Sequence, residues 1–209
     1  MPYLKMQPVE MESVDCRIMT SALDLFVERG FHNVSVHDVQ RRANVSIGSI
    51  YNHFGSKEGL AKSLYYHLVK EFEEMVEDIL DEDMSIRERC NRLIWQLLEY
   101  TETRRNIVAF MLHAKHREFL PDEPPVCSAA PFKAMRNIVQ QGMATGEIRD
   151  GDPWVVASTV FGGAIRLIHL RLDGVINQPI TLYYDELLDC TWQGISPGMD
   201  GSTLREQAV

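Results

Sequence analysis

Three serines set the terms for the first third of this chain. Ser35, Ser46 and Ser56 each stand immediately before a run with helical spacing. A serine there accepts a hydrogen bond from an amide of the first turn, which otherwise has no partner. The first run, 36–43, turns Val36, Val39 and Ala43 to one side. The second, from Ser46 to about His53, turns Ile50 to the same core, with Phe54 just beyond it. Asn44 between them tolerates a left-handed backbone, and Val45 is an apolar anchor. Upstream, Ile18, Ala22, Leu25 and Phe26 recur at spacings of three and four, the mark of one buried helical face, until Gly30 stops the helix. Asp38, three residues after Ser35, completes a weak capping box, since aspartate is shorter than the usual glutamate. Two short helices joined this tightly, behind a third, form a helix-turn-helix.

Such a unit lays its second helix in a DNA major groove. That explains why this helix is so poor in bulky side chains: its outer face must be slim. Gly48 costs about 1 kcal/mol in helix propensity, which points to close approach by a phosphate backbone. Ile47, Ser49 and Asn52 lie on the freer side, and Asn52 has the donor and acceptor to read adenine or bind phosphate. Tyr51 and His53 donate to phosphate, as do amides near Ser56 and Lys57. Ser35, Arg41, Arg42 and Ser46 complete the expected DNA-contacting set. Arg41 and Arg42 are adjacent, so one face cannot present both equally.

Charge supports this placement. The net charge of the 209 residues is −9, which argues against indiscriminate polyanion binding. Residues 1–60 hold six basic against seven acidic side chains, and residues 61–209 hold fifteen against twenty-three. If any part touches nucleic acid, it is the first segment.

The combination resembles the DNA-binding domain of the TetR family of bacterial transcriptional repressors. Ser35 stands where that family has a threonine opening the second helix. Val39 and Gln40 stand for its isoleucine-alanine pair, and Ala43, Asn44, Val45 and Ser46 for its alanine-glycine-valine-serine turn. Gly48, Tyr51, His53 and Phe54 match, as do Lys57, Glu58 and Leu60, with Phe26 and Gly30 upstream. Asn44 for glycine is a mild departure. Gln40 for a small alanine either shifts the helix spacing or sets a longer donor near the backbone. The resemblance implies an all-helical homodimer. Its first three helices bind DNA, and Lys57 meets a phosphate. Its later helices bind a ligand and a second copy, and the last two form an intersubunit four-helix bundle. Ligand binding then shifts the fourth helix, changes the separation of the reading heads and releases the operator.

The remaining sequence reads as helices throughout, about nine in all, with no strand alternation. The expected organisation is an irregular arm at 1–12, a DNA-binding domain at 13–56, a ligand-binding and dimerisation domain at 57–195, and a disordered tail at 196–209. A helix at about 57–80 carries the stripe Leu60, Leu64, Leu68, Phe72 and Val76. Others are expected at about 85–103, 104–115, 131–143, 153–172 and 181–192. Asp152 caps the helix of 153–172, with Pro153 at its first position. That helix is apolar nearly all round, so one face suits its own domain and another suits a partner.

Phe161, Gly163, Ile168, Leu182, Tyr183, Leu187, Leu188 and Trp192 are the expected dimer surface. A pocket for a hydrophobic or amphipathic effector is expected from Leu68, Phe72, Leu97, Tyr100, Phe110, Met111, Phe119, Met135, Met143, Trp154 and Phe161. Arg166, flanked by aliphatic residues, is expected to be buried and to pair with a partner residue or an acidic ligand group. For each pocket residue, ordinary core packing is the competing reading.

Other classes find little support. Nothing resembles a nucleophile elbow, a Walker loop or a dinucleotide fingerprint, so no catalytic residue is assigned. His113 and His116 lie three apart, but two histidines beside Arg105, Lys115 and Arg117 do not make a cation site, so no metal or cofactor is expected. Four scattered cysteines fit a reducing compartment. No signal peptide is evident, and the apolar stretches read as too short to cross a membrane; the expected location is cytoplasmic. The chain is therefore read as a ligand-responsive regulator, most simply a repressor. The alternative is an all-helical small-molecule-binding protein or enzyme that does not bind DNA.

Overall fold

The computed structural model describes residues 13–197 and is all-helical over them. The expected arm at 1–12 lies outside the described residues, as does the tail from 198 on. Nine α-helices follow in order: α1 (Val14–Arg29), α2 (Val36–Ala43), α3 (Ile47–Phe54), α4 (Lys57–Leu80), α5 (Ile86–Thr103), α6 (Arg105–Val108), α7 (Ala130–Thr145), α8 (Pro153–Leu172) and α9 (Tyr184–Ile195). Short 3-10 turns fill several of the joints.

The caps fall where the side chains call for them. Ser35 closes a full reciprocal box with Asp38, so the shorter acid suffices. The hydrogen bonds that Asp38 accepts from the Ser35 hydroxyl and amide, and from Arg41, hold its carboxyl far below the usual range. Asp152 accepts from the amides of Trp154 and Val155 at the head of α8. Asn44 sits in the left-handed region at φ 51°.

The α6 segment departs from expectation. Only 105–108 is α-helix; Ala109–His113 continues as one wide π turn, and Ala114 is extended. His113 and His116 therefore do not share a helical face. His116 lies in a separate 3-10 turn and is buried. No glycine or proline in "AFMLHA" announces this break.

Contacts divide the chain into two units: residues 1–77 with 100–132, and residues 78–99 with 133–209. This differs from the expected boundary at 56/57, because the head helices pack on later chain as well as on one another.

In the first unit, Ile18, Ala22, Leu25, Val39, Ala43, Ile50, Leu60 and Leu64 form a buried core. The Asp24 carboxylate on α1 accepts from Asn106 on α6 at 2.7 Å. The proline-rich loop is tied to α4: Lys62 pairs with Glu123 at 2.6 Å, Tyr66 donates to the same carboxylate, and Tyr65 donates to the Pro124 carbonyl.

In the second unit, α9 docks on α5 through Asn91. Its side chain accepts from the Trp192 indole at 2.7 Å, and its carbonyl accepts from Tyr184. Gly142 stands in the last turns of α7. It is a contact point, since a Cβ there would lie 2.7 Å from Ile86. Val156, Val160, Phe161, Ala164 and Ile168 form the buried stripe of α8.

Contrary to the sequence expectation, α8 is long and apolar enough to cross a membrane by length and composition, with 28% of its qualifying 18-residue stretch buried. The cause is that Arg166 and Arg171 are the helix's only Asp, Glu, Lys or Arg residues. The same composition serves a helix with one face in a core and an apolar face left outside.

Candidate nucleic-acid interface

The α3 helix is short because both ends are fixed. Ser46 accepts from the Ser49 amide at 3.1 Å and shares a 2.8 Å hydroxyl contact with Ser49. Gly55, at φ 72°, ends the helix in a conformation that disfavours a side chain. Ile50 points fully inward. Gly48, Tyr51, Asn52 and His53 are exposed, with Ile47 and Ser49 half-buried at the margins. Residues 48, 51 and 52 are three and four apart, so they form one outer face. Tyr51 is 50% exposed and so is not absorbed by packing.

Gly48 has no internal reason to be glycine. A Cβ there would meet only Ser46 Oγ, at an ordinary 3.7 Å. The slimness of the face is therefore directed outward.

The two arginines of α2 diverge, as adjacent helix positions must. Arg41 pairs with Asp38 on its own helix at 2.5 Å, and Arg42 reaches Glu28 on α1 at 2.9 Å. Both remain exposed, and Ser35 is exposed beside them.

Lys57 is the clearest departure among these residues. Instead of standing free for phosphate, its ammonium donates to the carbonyls of Phe31 and Val34, at 3.0 and 2.9 Å. It also lies 4.1 Å from the centre of the Phe31 ring. Lys57 thus clasps the α1–α2 connection to the start of α4. The sequence hid this because the partners are backbone carbonyls more than twenty residues away.

Two further residues, Gln40 and Gly59, position α3 without facing outward from it. Gln40 donates to the Val45 carbonyl at 3.0 Å, stapling the turn from inside. This resolves the departure in favour of a longer donor at the backbone. Gly59 is forced, since a Cβ there would lie 2.0 Å from the Phe54 carbonyl oxygen, so it fixes how α4 leaves α3.

The family models decide the class. Residues 18–64 match the model for bacterial regulatory proteins of the tetR family, and residues 65–197 match the tetracyclin repressor-like C-terminal domain. The chain belongs to the TetR family. It is a helix-turn-helix transcriptional regulator.

Among relatives, it is 24% identical over 153 residues to the HTH-type transcriptional regulator YhgD of Bacillus subtilis, covering 72% of this chain and 80% of that one. Its fold matches that of the B. subtilis regulator FadR, solved in complex with stearoyl-CoA. That match has a TM-score of 0.74 and 20% identity, over 86% of this chain and 98% of that one. The ketosteroid regulator KstR2 of Mycobacterium tuberculosis matches with a TM-score of 0.68 and 20% identity, over 90% and 97%.

The residues expected to form the effector pocket of this TetR-family chain are divided between the two units. Leu68, Phe72, Tyr100, Phe110, Met111 and Phe119 fall in the first unit; Leu97, Met135, Met143, Trp154, Phe161 and Arg166 fall in the second. Trp154 is 63% exposed, with the Arg136 guanidinium 4.0 Å over its ring, and so lines no interior. Arg166 was expected to be buried and is exposed, because it sits opposite the buried stripe of α8.

The expected dimer surface also needs correction. Phe161, Ile168 and Trp192 are buried in the chain's own second unit. Gly163 is where α8 meets α9 of the same chain, since a Cβ would lie 2.7 Å from Leu187 Cδ1. Leu182 is 70% exposed, and Tyr183, Leu187 and Leu188 are half-buried. Trp154, Val155 and Val175 are exposed apolar residues on the same unit that the sequence reading did not assign to this surface.

Proposed function

We propose that this regulator is a cytoplasmic repressor. Two copies bind one operator, each placing α3 in a major groove, and a hydrophobic or amphipathic small molecule releases them. The observation that carries this reading is the outer face of α3: an exposed glycine, tyrosine and asparagine on a helix whose other side is fixed by Ile50. The exposed apolar residues Trp154, Val155 and Leu182 support a homodimer, because such residues on one unit need a cover. The stearoyl-CoA complex of FadR and the identity of KstR2 as a ketosteroid transcriptional regulator favour a large, mainly apolar effector. Release then follows from linkage: a ligand that binds only the DNA-free arrangement opposes the operator by about 1–3 kcal/mol.

The test is selection of bound duplexes from genomic DNA of the source organism, followed by gel-shift titration. Specific, salt-sensitive binding that stearoyl-CoA or another long-chain acyl thioester weakens supports the reading. The variant Tyr51→Phe should bind the selected duplex roughly five- to tenfold less tightly, the worth of one hydrogen bond, with unchanged melting. Failure to select any duplex, with the protein folded and dimeric, overturns it.

A further inference from the structure

A cavity of about 380 Å³ opens inside the first unit, against the end of α1 and the following turn. Phe26, Phe31, Phe110 and Phe119 supply its aromatic walls, and Lys115 and Glu118 stand among its polar lining. Of the twelve expected pocket residues, only Phe110 and Phe119 line it. The volume lies at the small end of the range for organic ligands.

The second observation is His116. Its ring lies 5.1 Å from Phe110 and 5.6 Å from Phe119, behind two of the cavity walls. It is 9% exposed, and its Nε2 has no hydrogen-bond partner. The ring bonds to the backbone of Phe110, inside the π turn, and with Nε2 unpartnered that bond belongs to the other nitrogen. With that proton on the carbonyl side, Nε2 keeps a bare lone pair. A buried acceptor without a donor is costly, and native structures rarely leave one unexplained.

We propose that this cavity is a ligand site for a small, flat aromatic molecule carrying a hydroxyl group, which donates to His116 Nε2 once Phe119 gives way. Phe119 is half-exposed and stacks on Phe31 at 4.6 Å. Phe31 in turn presents its carbonyl and its ring to Lys57. A ligand that displaces Phe119 therefore acts on the clasp that holds the α1–α2 connection. The binding step is independent of the regulator reading; only its effect on DNA rests on that reading.

The probes are 2-naphthol and its apolar counterpart 2-methylnaphthalene, titrated calorimetrically into the full chain without DNA. 2-Naphthol should bind saturably and at least tenfold more tightly. His116→Phe, which keeps a ring and removes the acceptor, should abolish that preference. Ala109→Phe, which fills the cavity, should weaken both probes at least tenfold; Val27→Phe serves the same purpose if that variant does not fold. No saturable binding, equal affinity for the two probes in the wild type, or undiminished binding in a folded cavity-filled variant overturns the proposal. If 2-naphthol binds and operator selection fails, the regulator reading falls and this site stands; the reverse result removes the site alone.

Discussion

Replacing Lys57 by methionine separates two accounts of that residue. Methionine keeps the stem and removes the ammonium. In the structure this deletes two charge-assisted hydrogen bonds, to the carbonyls of Phe31 and Val34, and a cation over the Phe31 ring. Bonds from a charged donor contribute about 1.5–3 kcal/mol each, and a partly exposed cation–π contact about 0.5–1 kcal/mol. Water reaches the freed carbonyls in part, so the net loss is about 2–4 kcal/mol. For a chain of this length that lowers Tm by roughly 5–15 °C at fixed protein concentration. Operator affinity should fall as well, because the head loosens. The slope of log K against log salt should stay the same, since no phosphate contact is lost. A phosphate-binding lysine behaves in the opposite way: removing it leaves Tm unchanged and lowers the salt slope by about 0.9 for each bound subunit. Scanning calorimetry and gel shifts at several salt concentrations read both quantities. An unchanged Tm with a shallower salt slope refutes the clasp.

Other outcomes follow from the same geometry. Gly48→Ala should stabilise the fold by about 1 kcal/mol of helix propensity, raising Tm by roughly 2–4 °C, while weakening operator binding; unchanged affinity removes the argument that the phosphate backbone approaches there. Leu182→Glu should shift sedimentation toward monomer at micromolar concentration, and a dimer that persists as in the wild type places the interface elsewhere. Burial holds the His116 pKa below its ordinary value. The unfolded chain therefore takes up that proton first, and the penalty begins as pH falls through about 6.5. Relative to the wild type, His116→Phe should flatten the loss of Tm between pH 7 and 5. Cys90 is buried and its thiol is pushed up to about 12, whereas Cys127 is exposed; a thiol reagent should label Cys127 in the folded protein and Cys90 only on unfolding.

Much of the fold was legible because its signals are local. Ser35, Ser46 and Asp152 cap the first turns beside them, Gly30 and Asn44 supply the backbone conformations that end helices, and the α3 face needs only its own spacing. What escaped depends on distant or two-sided relations. Lys57 meets carbonyls that spacing cannot connect to it, and the π turn before Ala114 carries no breaker residue. The helix α8 is apolar all round, so its pattern did not reveal that Ile168 faces inward and Arg166 outward. Trp154 read as pocket because an aromatic in an apolar run looks buried; its place at the first turn leaves it outside.

The central claim is that α3 reads the major groove. Dimethyl sulfate footprinting on a selected duplex tests it most directly, since guanine N7 lies in that groove. The account predicts two patches of N7 protection whose centres lie about 34–36 Å apart or a multiple of that, both needing roughly five- to tenfold more protein in Tyr51→Phe, the worth of one hydrogen bond. Full occupancy of the duplex with every guanine N7 still reactive would contradict it.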